Sequence, residues 1–187
     1  MEANATHHIS VRNFTLLSNA ELLMVLERRN HPDVRKWMVN ADPIVPEEHL
    51  RYCSSLKHRP DTLQLLVEFD GKSTCVLSYK ATDSSWHKVS DCGIYAFDPE
   101  PCSSSILSLI VSSKLIAERS IKVMSIKVKN NNEVAIFANQ YYHGYHIVKK
   151  DAEFTYMSVN LEHPASFYQE YADRLLAKIN ASLDLRI

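Results

Sequence analysis

A chain of 187 residues, 45% hydrophobic and 23% charged, has the balance of one globular domain large enough to bury a sizeable core. Its net charge of −1 supplies no field for nucleic acid or an anionic membrane, and no apolar run reaches membrane-spanning length. With 3 glycines a glycine-rich phosphate loop is disfavoured; the 4 cysteines lack C-x-x-C spacing and read as reduced thiols of a cytoplasmic protein.

Val11 to Leu17 alternates weakly and reads as a first strand. Ser18-Asn19-Ala20-Glu21 is a capping box that opens a helix through Leu22, Leu23, Val25 and Leu26. The following segment, Glu27 to Met38, restarts at Pro32 and crowds Arg28, Arg29, Asn30, Arg35, Lys36 and Trp37 together. Forked guanidiniums, an amide and an indole in one span suit a phosphate-and-base ligand; a solvated helix end with one aromatic anchor would carry the same residues. After a proline-containing loop, Asn40 to Val45, a helix starts at Pro46 with Glu47 and Glu48 in its first turn and ends at Arg59-Pro60. His49 on that helix is either a ligand contact or a partly buried structural histidine.

Leu63 to Phe69 and Ser73 to Lys80 are strands joined across Asp70-Gly71, a strong hairpin signal. Beyond the polar loop Ala81 to Lys88, Val89 to Phe97 continues the meander and Asp98-Pro99 ends it. Ser103, Ser104 and Ser105 are placed to cap a helix whose apolar residues occupy more than one face, as in a helix packed on several neighbours. Ile121 to Val128 returns as a strand, so a βαβ crossover is expected, with an anion-attracting helix start at its loop. Asn130-Asn131-Asn132 breaks the chain before a helix from Glu133 to Tyr142, with Gly144 as its C-cap. Tyr145 to Lys150 and Phe154 to Leu161 form a closing hairpin, and a final amphipathic helix runs from Ser166 to Leu183. The sum is an α+β domain over residues 1–187, with a core at 11–161, a C-terminal helix at 162–187 and helices on both faces of a mixed sheet.

Two segments carry a resemblance to the GCN5-related N-acetyltransferase (GNAT) family. Asn132 to Tyr145, NEVAIFANQYYHGY, is similar to the family's helix motif of an Asn, an Ala-Ile pair and a terminal Gly-aromatic pair. The segment ERRNHPDVRKWM, with Glu47 to Leu50 and the run CGIYAFDP, resembles the branch that N-acetylates a nucleotide-linked amino sugar of pseudaminic acid biosynthesis, UDP-4-amino-4,6-dideoxy-N-acetyl-β-L-altrosamine. The resemblance implies a central sheet with a splayed parallel strand pair, at Cys92–Phe97 and Ile121–Val128, and direct acetyl transfer from acetyl-CoA without a metal. It also implies a small-molecule acceptor, and a homodimer is compatible with it; charge and hydropathy leave neither nucleic acid nor membrane as an expected partner.

On this resemblance, main-chain groups at Ala96, Phe97 and Asp98 pair with the pantetheine arm. Ser103, Ser104 and Ser105 face the pyrophosphate, and Asn132 and Asn139 border the cofactor. Arg29, Asn30, Arg35, Trp37, Met38, His49 and Tyr95 line the acceptor side. Asp91 is the candidate base and Tyr141 or Tyr142 the candidate acid, because the usual tyrosine position is held by Asn139 and the run to Gly144 is one residue longer than the pattern. Glu100, Ser103 and Ser105 stand where the family's loop carries Gln or Arg and small residues, which crowds a phosphate or repels it. A GNAT-fold binding protein with a degenerate cofactor loop is therefore the alternative, and acetylation of a protein N-terminus or an antibiotic fits the helix motif alone. His143-x-x-His146 straddles a helix end and lacks further ligands at metal spacing.

Overall fold

The structure, a computed structural model, describes residues 6–97 and 101–187, and only the backbone of 101–103. Among the described residues, eight strands form one mixed sheet. They are β1 (His7–Asn13), β2 (Thr62–Phe69), β3 (Lys72–Ala81), β4 (Lys88–Ala96), β5 (Val123–Lys129), β6 (His146–Lys150), β7 (Phe154–Asn160) and β8 (Ala181–Arg186), in the order β6-β7-β5-β4-β3-β2-β1-β8. The helices are α1 (Asn19–Asn30), α2 (Pro32–Arg35), α3 (Pro46–Ser55), α4 (Pro101–Arg119), α5 (Glu133–His143) and α6 (Ala165–Lys178).

Local chemistry accounts for most boundaries. Ser18 caps α1 as expected: its side chain accepts from the Glu21 N–H, and Glu21 accepts in return from the Ser18 N–H at 2.8 Å. These bonds to Ser18, with help from Arg12, push the Glu21 carboxyl down to about 2. Arg12 also reaches Glu68, so one guanidinium ties β1, α1 and β2. Asp70 and Gly71 both take positive φ, the geometry of a type I′ hairpin turn. The strand alternation then sorts side chains by face. Leu65, Val67 and Leu77 join Leu107, Ile110 and Leu115 in the core under α4 and α6, while Leu66 and Val76 join Phe14, Leu22, Val25 and Cys53 under α1 and α3.

Four expectations are revised. The first strand runs earlier, from His7, and Phe14–Leu16 is a 3₁₀ turn capped by the Asn13 side chain rather than more strand. The helix at Ser103–Ser105 starts at Pro101, so these serines sit inside its first turns instead of in a preceding loop. Asp91 lies within β4, which starts at Lys88, rather than just ahead of the splayed strand expected at Cys92–Phe97. The terminal helix stops at Lys178, and Ala181–Arg186 is an eighth strand parallel to β1, so the sheet extends past 11–161 at both ends. The break is at Asn180, whose left-handed φ of 50° ends the helix and whose carbonyl accepts from the N–H groups of Thr6 and His7.

Candidate active site

The centre of the sheet is opened by a mismatch between β4 and β5. These parallel neighbours share only the pairs Lys88↔Val123 and Val89↔Met124; β5 then continues alongside β7 to Lys129, while β4 stays with β3 to Ala96. The divergence starts where β4 carries an extra residue, Ser90, relative to β3, and a bulge of this kind bends its strand. Phe97 donates its N–H to the Thr74 carbonyl, which fixes the alternation along β4. Cys92, Ile94 and Ala96 therefore turn their backbone groups away from β3 and into the gap. A central strand with an unpaired edge and an exposed Ile94 is what a missing strand-like partner would leave.

A cleft of about 430 Å³ passes through this gap. Its walls bring together residues from both faces of the sheet: Arg29, Trp37, Met38, His49 and Tyr95 from the α1–α3 side, and Asn132, Asn139, His143 and Tyr145 from α5 and its end. Asp91, Cys92 and Gly93 form the middle. Gly93 has no Cβ because one there would lie 2.6 Å from the Ser78 Oγ on the adjacent strand.

The electrostatics of the middle are set by burial. Desolvation raises the Asp91 carboxyl above the ordinary range, against the pull of Lys127 and Lys80. Tyr145 is buried and its hydroxyl donates toward the Cys92 Sγ at 3.8 Å. Burial holds that hydroxyl well above its usual value and pushes the Cys92 thiol up to about 12. Burial lowers His143 and His49, leaving both neutral at pH 7; His49 sits 3.6 Å from the Cys53 Sγ.

The arginine-rich segment is placed differently from a phosphate fork. Arg29 donates to the carbonyls of Asp42 at 2.5 Å and Asn40 at 2.7 Å, and Arg35 to that of Ala41 at 3.0 Å. Asn30 pairs with the backbone of Ile44 in both directions, its Nδ2 donating to the carbonyl at 2.8 Å and its Oδ1 accepting the N–H at 2.9 Å. Asn30 and Arg35 do not line the cleft. With Arg29 they order the 36–45 loop, whose Trp37, Met38, Val39, Asn40 and Ile44 do.

On the cofactor side, the Ala96 carbonyl accepts from Arg28 Nε at 2.7 Å and the Phe97 N–H is spent on Thr74, so the free edge lies deeper, at Cys92 and Ile94. Asp98, Glu100 and the Ser103 side chain lie outside the described residues. Ser104 is buried and Ser105 half-buried in the first turns of α4. Asn132 caps α5 by accepting from the Ala135 N–H, and the Asn139 amide donates to the Ala135 carbonyl. The extra residue before Gly144 is absorbed at the helix end, where the Gly144 N–H reaches back five residues to Asn139. Tyr141 and Tyr142 remain outside the cleft and exposed, and Tyr145 is the tyrosine of this helix end that enters it. Its signal in the sequence is the Gly-aromatic pair that ends the helix motif.

No family model matches the chain. An acetyltransferase of Campylobacter jejuni, PseH, is 27% identical over 158 residues, which are 83% of this chain and 96% of that protein. The crystal structure of the C. jejuni N-acetyltransferase PseH in complex with acetyl coenzyme A superposes with a TM-score of 0.66 at 20% identity, covering 82% of this chain and 99% of that one. A GNAT-family acetyltransferase from Streptococcus pneumoniae gives 0.61 at 14% identity, with 82% and 99% covered.

Proposed function

We propose, from the premise that this chain is a GNAT member resembling PseH, that it transfers an acetyl group from acetyl-CoA to the primary amine of a small acceptor. The acceptor class we favour is a nucleotide-linked amino sugar, in keeping with the N-terminal segment that resembles that branch. The observation that carries the reading is the parted β4–β5 pair. The free backbone edge at Cys92 and Ile94 matches the amides of a pantetheine arm, and the gap opens onto an acceptor wall on the opposite face.

In this reading the amine attacks the thioester carbonyl, the C–N bond forms and the C–S bond breaks. Asp91, an exposed residue whose carboxyl is partly desolvated, takes the amine proton. Tyr145 keeps its proton and donates a hydrogen bond to the departing sulfur, a role that suits a hydroxyl held well above its usual value. Trp37 and Met38 on the anchored loop, with Tyr95 and neutral His49, offer aromatic and hydrogen-bonding surface to the acceptor. The test is CoA-thiol release with a panel of amines that includes a UDP-linked amino sugar, read beside calorimetric titration of CoA. Turnover with the sugar and not with simple amines supports the full reading. CoA binding without turnover on any amine favours the GNAT-fold binding protein, and no CoA binding at all defeats both.

A further inference from the structure

A second cavity, of about 250 Å³, lies back to back with the cleft and shares Ser112, Met124, His143 and Tyr145 with it. Its remaining walls are Leu109, Ser113 and Ile116 of α4, Val159 of β7, Leu161, Tyr142 at the end of α5, and Phe167, Tyr168 and Tyr171 of α6. Among the described residues that line it there is no carboxylate, lysine or arginine. The one titratable imidazole, His143, is kept neutral by burial. Pockets of this composition take apolar groups.

The shared wall decides which group. Met124 is paired with Val89 at the point where β4 and β5 begin to part, so it marks the narrow end of the gap. The helix start of α4 lies at the wide end, beyond Ala96, roughly 23 Å of strand away at about 3.3 Å per residue. A cofactor with its phosphates at the wide end and its arm along β4 presents its acyl group at the narrow end, against Met124 and Tyr145. The second cavity continues from that point, away from the acceptor wall. On the shared side the Ser112 hydroxyl is tied back to the Tyr79 hydroxyl at 2.8 Å.

We infer that this cavity receives the acyl chain of longer donors, so that the chain accepts acyl-CoA thioesters longer than acetyl besides acetyl-CoA. The inference rests on the proposed acyl transfer and extends it to the donor class. The chemistry is unchanged: the amine nitrogen bonds the acyl carbonyl, the C–S bond breaks, and CoA leaves as the thiol carrying the proton the amine lost.

Binding tests it without an identified acceptor. CoA, acetyl-CoA and octanoyl-CoA are titrated by calorimetry into the parent and into Val159→Phe and Tyr171→Trp, which fill the cavity from β7 and from α6. Neither residue lines the cleft. Each buried methylene is worth about fourfold in affinity, so octanoyl-CoA is expected to bind the parent at least about tenfold more tightly than acetyl-CoA. Both fillers should abolish that advantage and leave CoA affinity within about twofold, which also shows that they fold. Octanoyl-CoA binding no tighter than acetyl-CoA overturns the inference while the transferase reading stands. An octanoyl advantage that survives both fillers places the chain elsewhere and overturns it too. Failure of CoA itself to bind removes the transferase reading and the inference with it.

Discussion

Replacing Asn30 by Asp separates the loop-anchoring role of the arginine-rich segment from a ligand-binding one. The side chain keeps its shape and its acceptor for the Ile44 N–H, but the donor that met the Ile44 carbonyl at 2.8 Å becomes a second oxygen. One part-buried hydrogen bond is lost, worth about 0.5–1.5 kcal/mol; the carbonyl then faces a negative charge that the Arg29 guanidinium, 3.3 Å from the same side-chain oxygen, partly offsets, so the total loss should be about 1–2 kcal/mol at pH 7. Urea unfolding should show a midpoint lower by on the order of 1 M with an unchanged slope. Because the anchored loop carries Trp37, Met38 and Asn40 into the cleft, the acceptor KM should rise while CoA affinity holds. A pH 7 midpoint equal to the parent's would refute the pairing.

Other changes probe the centre of the cleft. Asp91→Asn should slow transfer by about 10²–10⁴-fold with CoA affinity intact, and the parent's kcat/KM should climb with pH through a value above the ordinary carboxylate range, a limb absent from the variant. Tyr145→Phe should cost more in kcat than Tyr141→Phe or Tyr142→Phe, whose hydroxyls lie outside the cleft; equal losses in steady-state rates would return the role to the helix end. Gly93→Ala should destabilise by about 1–3 kcal/mol in thermal or urea unfolding, because its methyl meets the Ser78 Oγ at 2.6 Å, and Ser78→Ala in the same chain should recover most of the loss.

What the sequence determined by itself was whatever local chemistry decides. The capping box at Ser18, the Asp70-Gly71 turn, the break at Asn132 and the cap at Gly144 all depend on groups within a few residues of one another, and each element around them formed as read. The resemblance in Asn132 to Tyr145 likewise carried the fold. Tertiary structure decided what depends on distant partners. Ala181-Ser-Leu-Asp-Leu-Arg alternates apolar and polar residues, yet became a strand because β1 offered a free parallel edge across nearly the whole chain length. Arg29, Asn30 and Arg35 have the donors of a phosphate site, but a carbonyl-rich loop at Asn40 to Ile44 reached those donors first. Tyr145, rather than Tyr141 or Tyr142, faces the cleft because the Gly144 N–H closes on Asn139 five residues back, a bond that sets the angle at which the chain leaves the helix. A hydrogen-bond donor in a sequence announces only its capacity; which acceptor it meets is settled by the path of the backbone around it.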